Sequence, residues 1–558
     1  HVQWIQAEQQ AVIRFADRTI ALAIGSLQVT VDDQEKKMDR APLLVGFRTF
    51  VPLAFLSQEV GATVEWDPIE GKVTVSGAFS PFVAPPLNLA IIWHQHQPLY
   101  YKDPATGLYT KPWVRLHATK DYLNMLAILE QYPKIRATFN LTPSLLKQLD
   151  DLAAGAEDLA YSLSAKETAT LTVEEKDYLL RRFFDANWNQ VIPSFPRYLE
   201  LLNKRGREVS DASIAKAVAS FSEQDLRDLA VLFNLAWIAP QYRAKAPLEA
   251  LEKKGKNFTE ADKTVVLEEG MKLLRQVVPA HKKAQDGGQI EITMTPYTHP
   301  ILPLLYDSNL AKVAMPDTQL PSRFSYPLDA IAQIQKGVSF YQEHFGRKPV
   351  GMWPAEGSVA QEIVKMVYDG GIRWMASDEE VLAKSIGLGS FDRDATDLVT
   401  RPELLYRPWK VSFAENSIYM LFRDRTISDL VGFRYSGTPG KEAAQDLLNR
   451  LHAIRQAALD ADPTTPHLVT VLLDGENAWE YYPNNGEEFL HSLYQLLSED
   501  PQIVTTTPAD YLHLVPSTSA EASPEAPTAK PLWAGSWINA DFSTWIGEEE
   551  ENRAWECL

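Results

Sequence analysis

The 558 residues exceed what one compact core usually holds, and 45% hydrophobic with 23% charged residues is an ordinary globular composition, so two or three domains are expected. Lys and Arg number 54 against 73 Asp and Glu, and the resulting charge of −19 repels nucleic acid and anionic lipid but does not penalise a neutral polymer such as a polysaccharide. No run approaches the roughly 18 apolar residues of a membrane span, and the one cysteine, Cys557, excludes an internal disulfide framework and a cysteine-based zinc cluster. His1 stands where a starting Met would, as expected of a processed chain from which a signal peptide is already missing.

Residues 1 to about 77 read as a small α+β domain. Segment 19–31 alternates as strands do, and 48–51, 53–60 and 62–66 predict strand, helix, strand, with Gly61 as the helix stop. SGAFSPFVAPP (76–86) reads as a linker. Beyond it, short apolar segments recur between helical patterns at 90–97, 137–142, 290–295, 349–355, 374–378, 417–424 and 468–475. Strands alternating with helices predict parallel βα units, and seven of them suggest an incomplete barrel, although periodicity alone does not separate a barrel from an open sheet. The main domain then spans 88–515. Its stretch 145–285 carries amphipathic runs at 178–184, 195–202 and 226–237 and reads as an inserted helical subdomain. A second low-complexity linker occupies 516–531, and the closing 532–558 holds four Trp in 27 residues, which predicts packing onto the main domain.

Polar residues stand at the end of a buried strand in three places. In WHQHQP (93–98), His94 and His96 are two apart and share one side of a strand, a spacing that suits a metal, two hydrogen bonds to one sugar, or plain packing. In GMWPAEGSV (351–359), Glu356 follows a strand and a proline, which would project its carboxylate from the C-terminal strand ends; the alternative is a helix N-terminal carboxylate satisfying free N–H groups. In LVTVLLDGENAWEYYPNNGEEF (468–489), an apolar strand runs straight into Asp474, Glu476 and Asn477, which costs stability unless the carboxylates serve a site or bind a cation. Glu356 and Asp474 end two strands, and a facing carboxylate pair is what glycoside hydrolysis requires. Trp93, Trp353, Trp409 and Trp479 offer flat apolar faces for sugar stacking or for the core.

WHQHQP, GGQIEIT (287–293), MWPAEGSV and LLDGENAWE resemble four signature regions of glycoside hydrolase family 57 in their usual order. FFDANWNQ, PRYLELL, DLRDLAVLFNLAWI, GIRWMASDEEVL and FRDRTISDLVGF extend the similarity, and GSWINADFSTWIGEEEENRAWECL resembles the amylopullulanase and α-amylase branch. The resemblance implies a (β/α)7 barrel and retaining double displacement on the α-1,4 and α-1,6 bonds of starch, pullulan, glycogen or maltooligosaccharides. It implies Glu356 as nucleophile, Asp474 as acid/base, His96 as a sugar-binding histidine and Glu291 as the carboxylate of the second motif. Trp353, Asp378 and Glu476 fall on pocket positions; His94, Trp409, Trp479 and Trp537 are expected to join substrate binding, with the roles of Trp537 and Trp545 least defined. Glu356 and Glu476 are expected to press Asp474 upward by like charge. No cofactor is required for this chemistry, and a structural calcium is left open. The alternatives are a 4-α-glucanotransferase or branching enzyme on the same site, a zinc-dependent deacetylase or mannosidase using the histidines, and a non-catalytic surface-layer protein. PLLVGFRTFVPLAFLSQEVGATVEWDPIEGKVTV (42–75) resembles the copper amine oxidase N-terminal stalk domain, which carries no copper and implies an extracellular or cell-surface location.

Overall fold

The alternating N-terminal segment folds as an antiparallel meander of β1 (Val2–Ile5), β2 (Gln10–Phe15), β3 (Arg18–Ala23), β4 (Gln28–Val31) and β5 (Gln34–Lys37), hydrogen-bonded in that order. Period two puts Ile20, Leu22, Val29 and Val31 on one buried face, with Phe55 in the same cluster. Phe55 belongs to helix α1 (Leu53–Glu59), which stands between the hairpins β6 (Leu43–Val45)–β7 (Arg48–Phe50) and β8 (Thr63–Asp67)–β9 (Lys72–Ser76). This computed structural model describes residues 2–5, 10–15, 18–45, 48–59, 61–67, 72–76, 84–463, 465–514, 526–529 and 531–558. Most of the linker expected at 76–86, and residues 516–525 and 530 of the second, lie outside them. The chain divides into two compact units, residues 1–85 with 456–465, and 86–455 with 466–558.

In the larger unit the predicted parallel strands are β10 (Leu87–Gln95), β11 (Ala137–Leu141), β12 (Ile290–Thr293), β13 (Gly351–Met352), β14 (Trp374–Asp378), β16 (Asn416–Arg423) and β17 (Leu468–Asp474). They form two sheets, β12-β11-β10-β17 and β13-β14-β16. A parallel bridge from Met294 to Met352 links β12 to β13. At the other margin the Asp424 N–H donates to the Thr470 carbonyl at 3.0 Å, joining β16 to β17. Two further strands were not legible in the sequence: β15 (Trp409–Phe413), antiparallel to β16, and β18 (Ile503–Thr505), parallel to β10. Both faces of β10 are buried, Ala90 and Ile92 in one apolar cluster and Leu89, Ile91 and Trp93 in another. Hence its near-continuous apolar run shows no alternation.

Helices from Pro143–Ala153 through Val277–Asp286 fill the long β11–β12 connection. Three of them start on capping boxes, Thr172 with Glu175, Ser222 with Asp225 and Thr259 with Asp262, which satisfy backbone N–H groups that a helix start leaves free. The Trp-rich end packs in the larger unit. Gly535 pairs in both directions with Val359, and a Cβ on Gly535 would lie 2.4 Å from the Ala540 carbonyl oxygen, so only glycine fits there. Among the described residues no helix is long and apolar enough to cross a membrane.

Candidate active site

The C-terminal ends of β16 and β17, the turn after β13 and the Trp-rich segment converge on a cavity of about 460 Å³ whose walls include Glu356, Arg423, Arg425, Asp474, Asn477 and Trp537. Glu356 sits at φ +55°, a left-handed conformation that costs a non-glycine residue of order 1 kcal/mol and is retained only where the surroundings impose it. Here they do. The Trp537 N–H donates to the Glu356 carbonyl at 3.1 Å. The next residue, Gly357 at φ +59°, lies so close to Trp353 that a Cβ would come within 2.8 Å of the indole. The Glu356 carboxylate accepts the Trp537 Nε1–H at Oε2, 3.0 Å away, and its Oε1 is 4.0 Å from His299 Nδ1. Burial raises its pKa; the Trp537 hydrogen bond opposes that shift and the Asp474 charge adds to it.

Asp474 is the last residue of β17, opposite His94 in the β10–β17 register. Burial raises its pKa too, while the Asn477 amide, donating to Oδ2 at 3.0 Å, and then His96 and Arg423 hold it back. Desolvation, rather than the anticipated like-charge pressure from Glu356 and Glu476, is what lifts Asp474.

His94, His96 and His299 form a cluster whose ring nitrogens lie within 4.8 Å of one another, a set with the donor chemistry to hold a metal ion. His94 Nδ1 donates to Asn140 Oδ1 at 2.7 Å, which leaves Nε2 as the acceptor. Burial lowers His94 to about 4 and His96 to about 3, and drives His299 well down, so all three are neutral at physiological pH. His96 and His299 stack face to face, centroids 3.9 Å apart and planes 19° from parallel. Stacked rings present their in-plane lone pairs side by side, whereas a zinc ion needs them converging at about 2.0–2.1 Å.

Other residues expected at the site stand apart from the cavity. Glu476 is buried and accepts the His96 N–H at 3.1 Å, with Gln97 Nε2 and the Tyr122 hydroxyl each at 3.4 Å. It ties the histidine loop to the Asp474 loop, and burial followed by the Asp474 charge raises its pKa far above the carboxylate range. Asp378 is fully buried and gives its oxygens to Arg423 Nε at 2.8 Å and Arg425 Nη2 at 2.5 Å. It positions those two arginines, which do line the cavity. Glu291 lies at the start of β12, the opposite end of the strands, where it accepts from Trp374 Nε1 and the Ala509 N–H, each at 3.0 Å. The reason is register: a motif that begins a strand delivers its side chains to the other end.

Trp409 and Trp479 are core residues, their indole N–H groups spent on the Leu404 and Gly475 carbonyls at 2.9 and 2.7 Å. Trp353 is buried behind the cavity, 5.1 Å from Trp537 between ring centroids. Trp545 packs in a satellite cluster around Phe542 and Ile546. Sequence reasoning passed over His299, whose Nδ1 stands 4.0 Å from Glu356, and Arg423, Arg425 and the exposed Phe433 of the cavity wall. The signal for the arginines was present: FRDR ends a strand in charge just as LLDGE does.

Residues 90–523 match the model of glycosyl hydrolase family 57, and residues 1–75 match that of the copper amine oxidase N-terminal domain. Among solved structures, a GH57 branching enzyme from Thermococcus kodakaraensis aligns at a TM-score of 0.51 and 16% identity, covering 84% of this chain and 77% of that one. A GH57-type branching enzyme from Pyrococcus horikoshii aligns at 0.50 and 16%, covering 84% and 76%. The alpha-amylase AmyC from Thermotoga maritima aligns at 0.49 and 15%, covering 81% and 77%.

Proposed function

The chain belongs to glycosyl hydrolase family 57, and on that premise we propose that it cleaves α-glucosidic bonds of starch-like glucans by retaining double displacement, with Glu356 as nucleophile and Asp474 as acid/base. The observation that carries this reading is that the two carboxyls, from separate strand ends, line one cavity and are both lifted by burial. On the same premise the two bridged sheets are an incomplete (β/α)7 barrel, with the site at its C-terminal end.

Glu356 attacks the anomeric carbon while protonated Asp474 gives its proton to the departing glycosidic oxygen. Asp474 then takes a proton from water, which displaces Glu356 and restores the starting configuration. The two groups are set apart by their donors. An indole N–H on Glu356 favours its ionised, attacking form, and burial favours the protonated form of Asp474. Neutral His94, His96 and His299 orient sugar hydroxyls, and Trp537 and Phe433 supply apolar faces. No step needs a cofactor. The α-1,4 and α-1,6 bonds of starch and pullulan, as in amylopullulanases, are the substrates this reading assigns, and the match of the N-terminal domain supports extracellular or cell-surface work on them.

Transfer to a sugar hydroxyl uses the same two carboxylates, and branching activity in the two structural neighbours' names keeps that second reading in view. Incubation with soluble starch, pullulan and maltooligosaccharides tests both. Hydrolysis releases reducing ends, whereas transfer lengthens or branches chains without a matching release. Glu356→Ala and Asp474→Asn should each lose about 10²–10⁴-fold or more in kcat. Starch cleavage that survives either substitution would sink the assignment.

A further inference from the structure

A second cavity, of about 280 Å³, lies at the other end of the strands. Arg136 and Val350 directly precede β11 and β13, Ile290 opens β12, and all three line it. Its charged groups are Arg136, Arg347, Lys348, Glu291 and Asp510. Arg136 is already matched, by Asp510 at 3.2 Å and by the Gly288 carbonyl. Both Glu291 oxygens are occupied by Trp374 and Ala509, and burial pushes this carboxyl up to about 7, so near neutrality much of it carries no charge. Among the described residues neither Arg347 nor Lys348, both exposed, forms an ion pair. In a chain of net charge −19 this is a local excess of positive charge.

The decisive group is Gln285. It is 2% exposed, and its Oε1 accepts the Ile292 N–H at 3.1 Å and shares the one proton of the Tyr341 hydroxyl, 2.6 Å away, with the Ile292 carbonyl at 2.8 Å. That fixes the amide orientation and leaves Nε2, a buried donor on a residue that lines the cavity, with no partner. Buried donors are seldom left unmade.

We propose that this cavity binds a small phosphate-bearing anion, free phosphate or a hexose phosphate, through Arg347, Lys348 and the Gln285 amide. A planar guanidinium matches two phosphate oxygens, the lysine adds a compact charge, and the amide N–H supplies a donor that water does not. The cavity is just under the roughly 300–1,000 Å³ of small-molecule sites, which suits a ligand of metabolite size. Glu291 can keep its proton when such an anion arrives, so the pocket need not bury opposed negative charges. The site shares no residue with the cavity of Glu356 and Asp474, so it stands whether or not the proposed hydrolysis does.

Isothermal titration of the full chain with inorganic phosphate, with glucose 1-phosphate and with chloride at matched ionic strength tests it. One saturable site for a phosphate-bearing ligand is expected, weakened by about tenfold or more in the double variant Arg347→Ala, Lys348→Ala. Both side chains are exposed, so that variant should fold and keep its glucan activity measured without phosphate. Equal affinity for the two ligands assigns the site to the phosphate group alone; tighter glucose 1-phosphate assigns the hexose phosphate. No saturable binding of either, or binding unchanged in the double variant, overturns the proposal.

Discussion

Replacing Trp537 with Phe deletes one hydrogen bond and trims the bicyclic indole to a single ring. The benzyl ring keeps its place between Trp353, 5.1 Å away, and the Arg423 guanidinium, 4.9 Å away, and the backbone N–H still holds the Glu356 carbonyl. What goes is the Nε1–H donor on Glu356 Oε2 at 3.0 Å. A hydrogen bond to a charged group in a partly desolvated site is worth about 1.5–3 kcal/mol, a factor of roughly 10–150 in rate if it serves the attacking carboxylate. The sign for pH is set by the same bond. The indole stabilises the ionised form, so its loss raises the Glu356 pKa further and moves the acidic limb of kcat/KM against pH upward. Initial rates on maltooligosaccharides across the pH range, for wild type and Trp537→Phe, measure both. If kcat/KM falls less than about threefold and the acidic limb stays put, the indole is packing rather than electrostatics, and the role given to it here is wrong.

Glu476→Gln should leave activity nearly intact, because the amide oxygen still accepts from His96, Gln97 and Tyr122 while Nε2 replaces an Oε2 that has no partner. The same variant should melt higher than wild type at pH 8 but not at pH 4: a carboxyl raised in the folded state binds its proton more tightly there, so stability is present at low pH and lost as pH climbs above the ordinary carboxylate value. Asp378→Asn strips Arg423 and Arg425 of their buried counter-charge and should cost about 3 kcal/mol in denaturant unfolding, with a loss of activity alongside. Phe433→Ala should raise KM for polymeric glucan by roughly 5- to 30-fold, the burial of an aromatic face worth about 1–2 kcal/mol, and leave short substrates less affected. Exhaustive chelation should leave glucan cleavage unchanged; loss restored by zinc would instead give the histidine cluster a metal role.

The seven parallel strands were legible because each is a short apolar run between helical patterns, and 374–378 was placed to the residue. Strand β15 was not, because Trp409–Phe413 is an edge whose partner is chosen by β16 rather than by its own pattern. Glu356 and Asp474 could be read as candidates because a carboxylate that ends an apolar strand has a cost, and cost invites a reason. Trp409 and Trp479 show the limit of the same reasoning: the side of the chain an aromatic faces is not set by a neighbouring motif, and these two pack in the core with their indole N–H groups on backbone carbonyls.

Composition, charge and strand periodicity are local properties, and they pointed to the α/β class of the fold and to Glu356 and Asp474 as candidates. Which side chains meet was decided elsewhere. His299 joins His94 and His96 across about two hundred positions of chain, Trp537 returns from the far end to hold Glu356, and Glu291 departs to the opposite end of the sheet. Each depends on register and on what packs behind the backbone, which are sums over contacts distant in sequence and leave no mark on any short stretch of it.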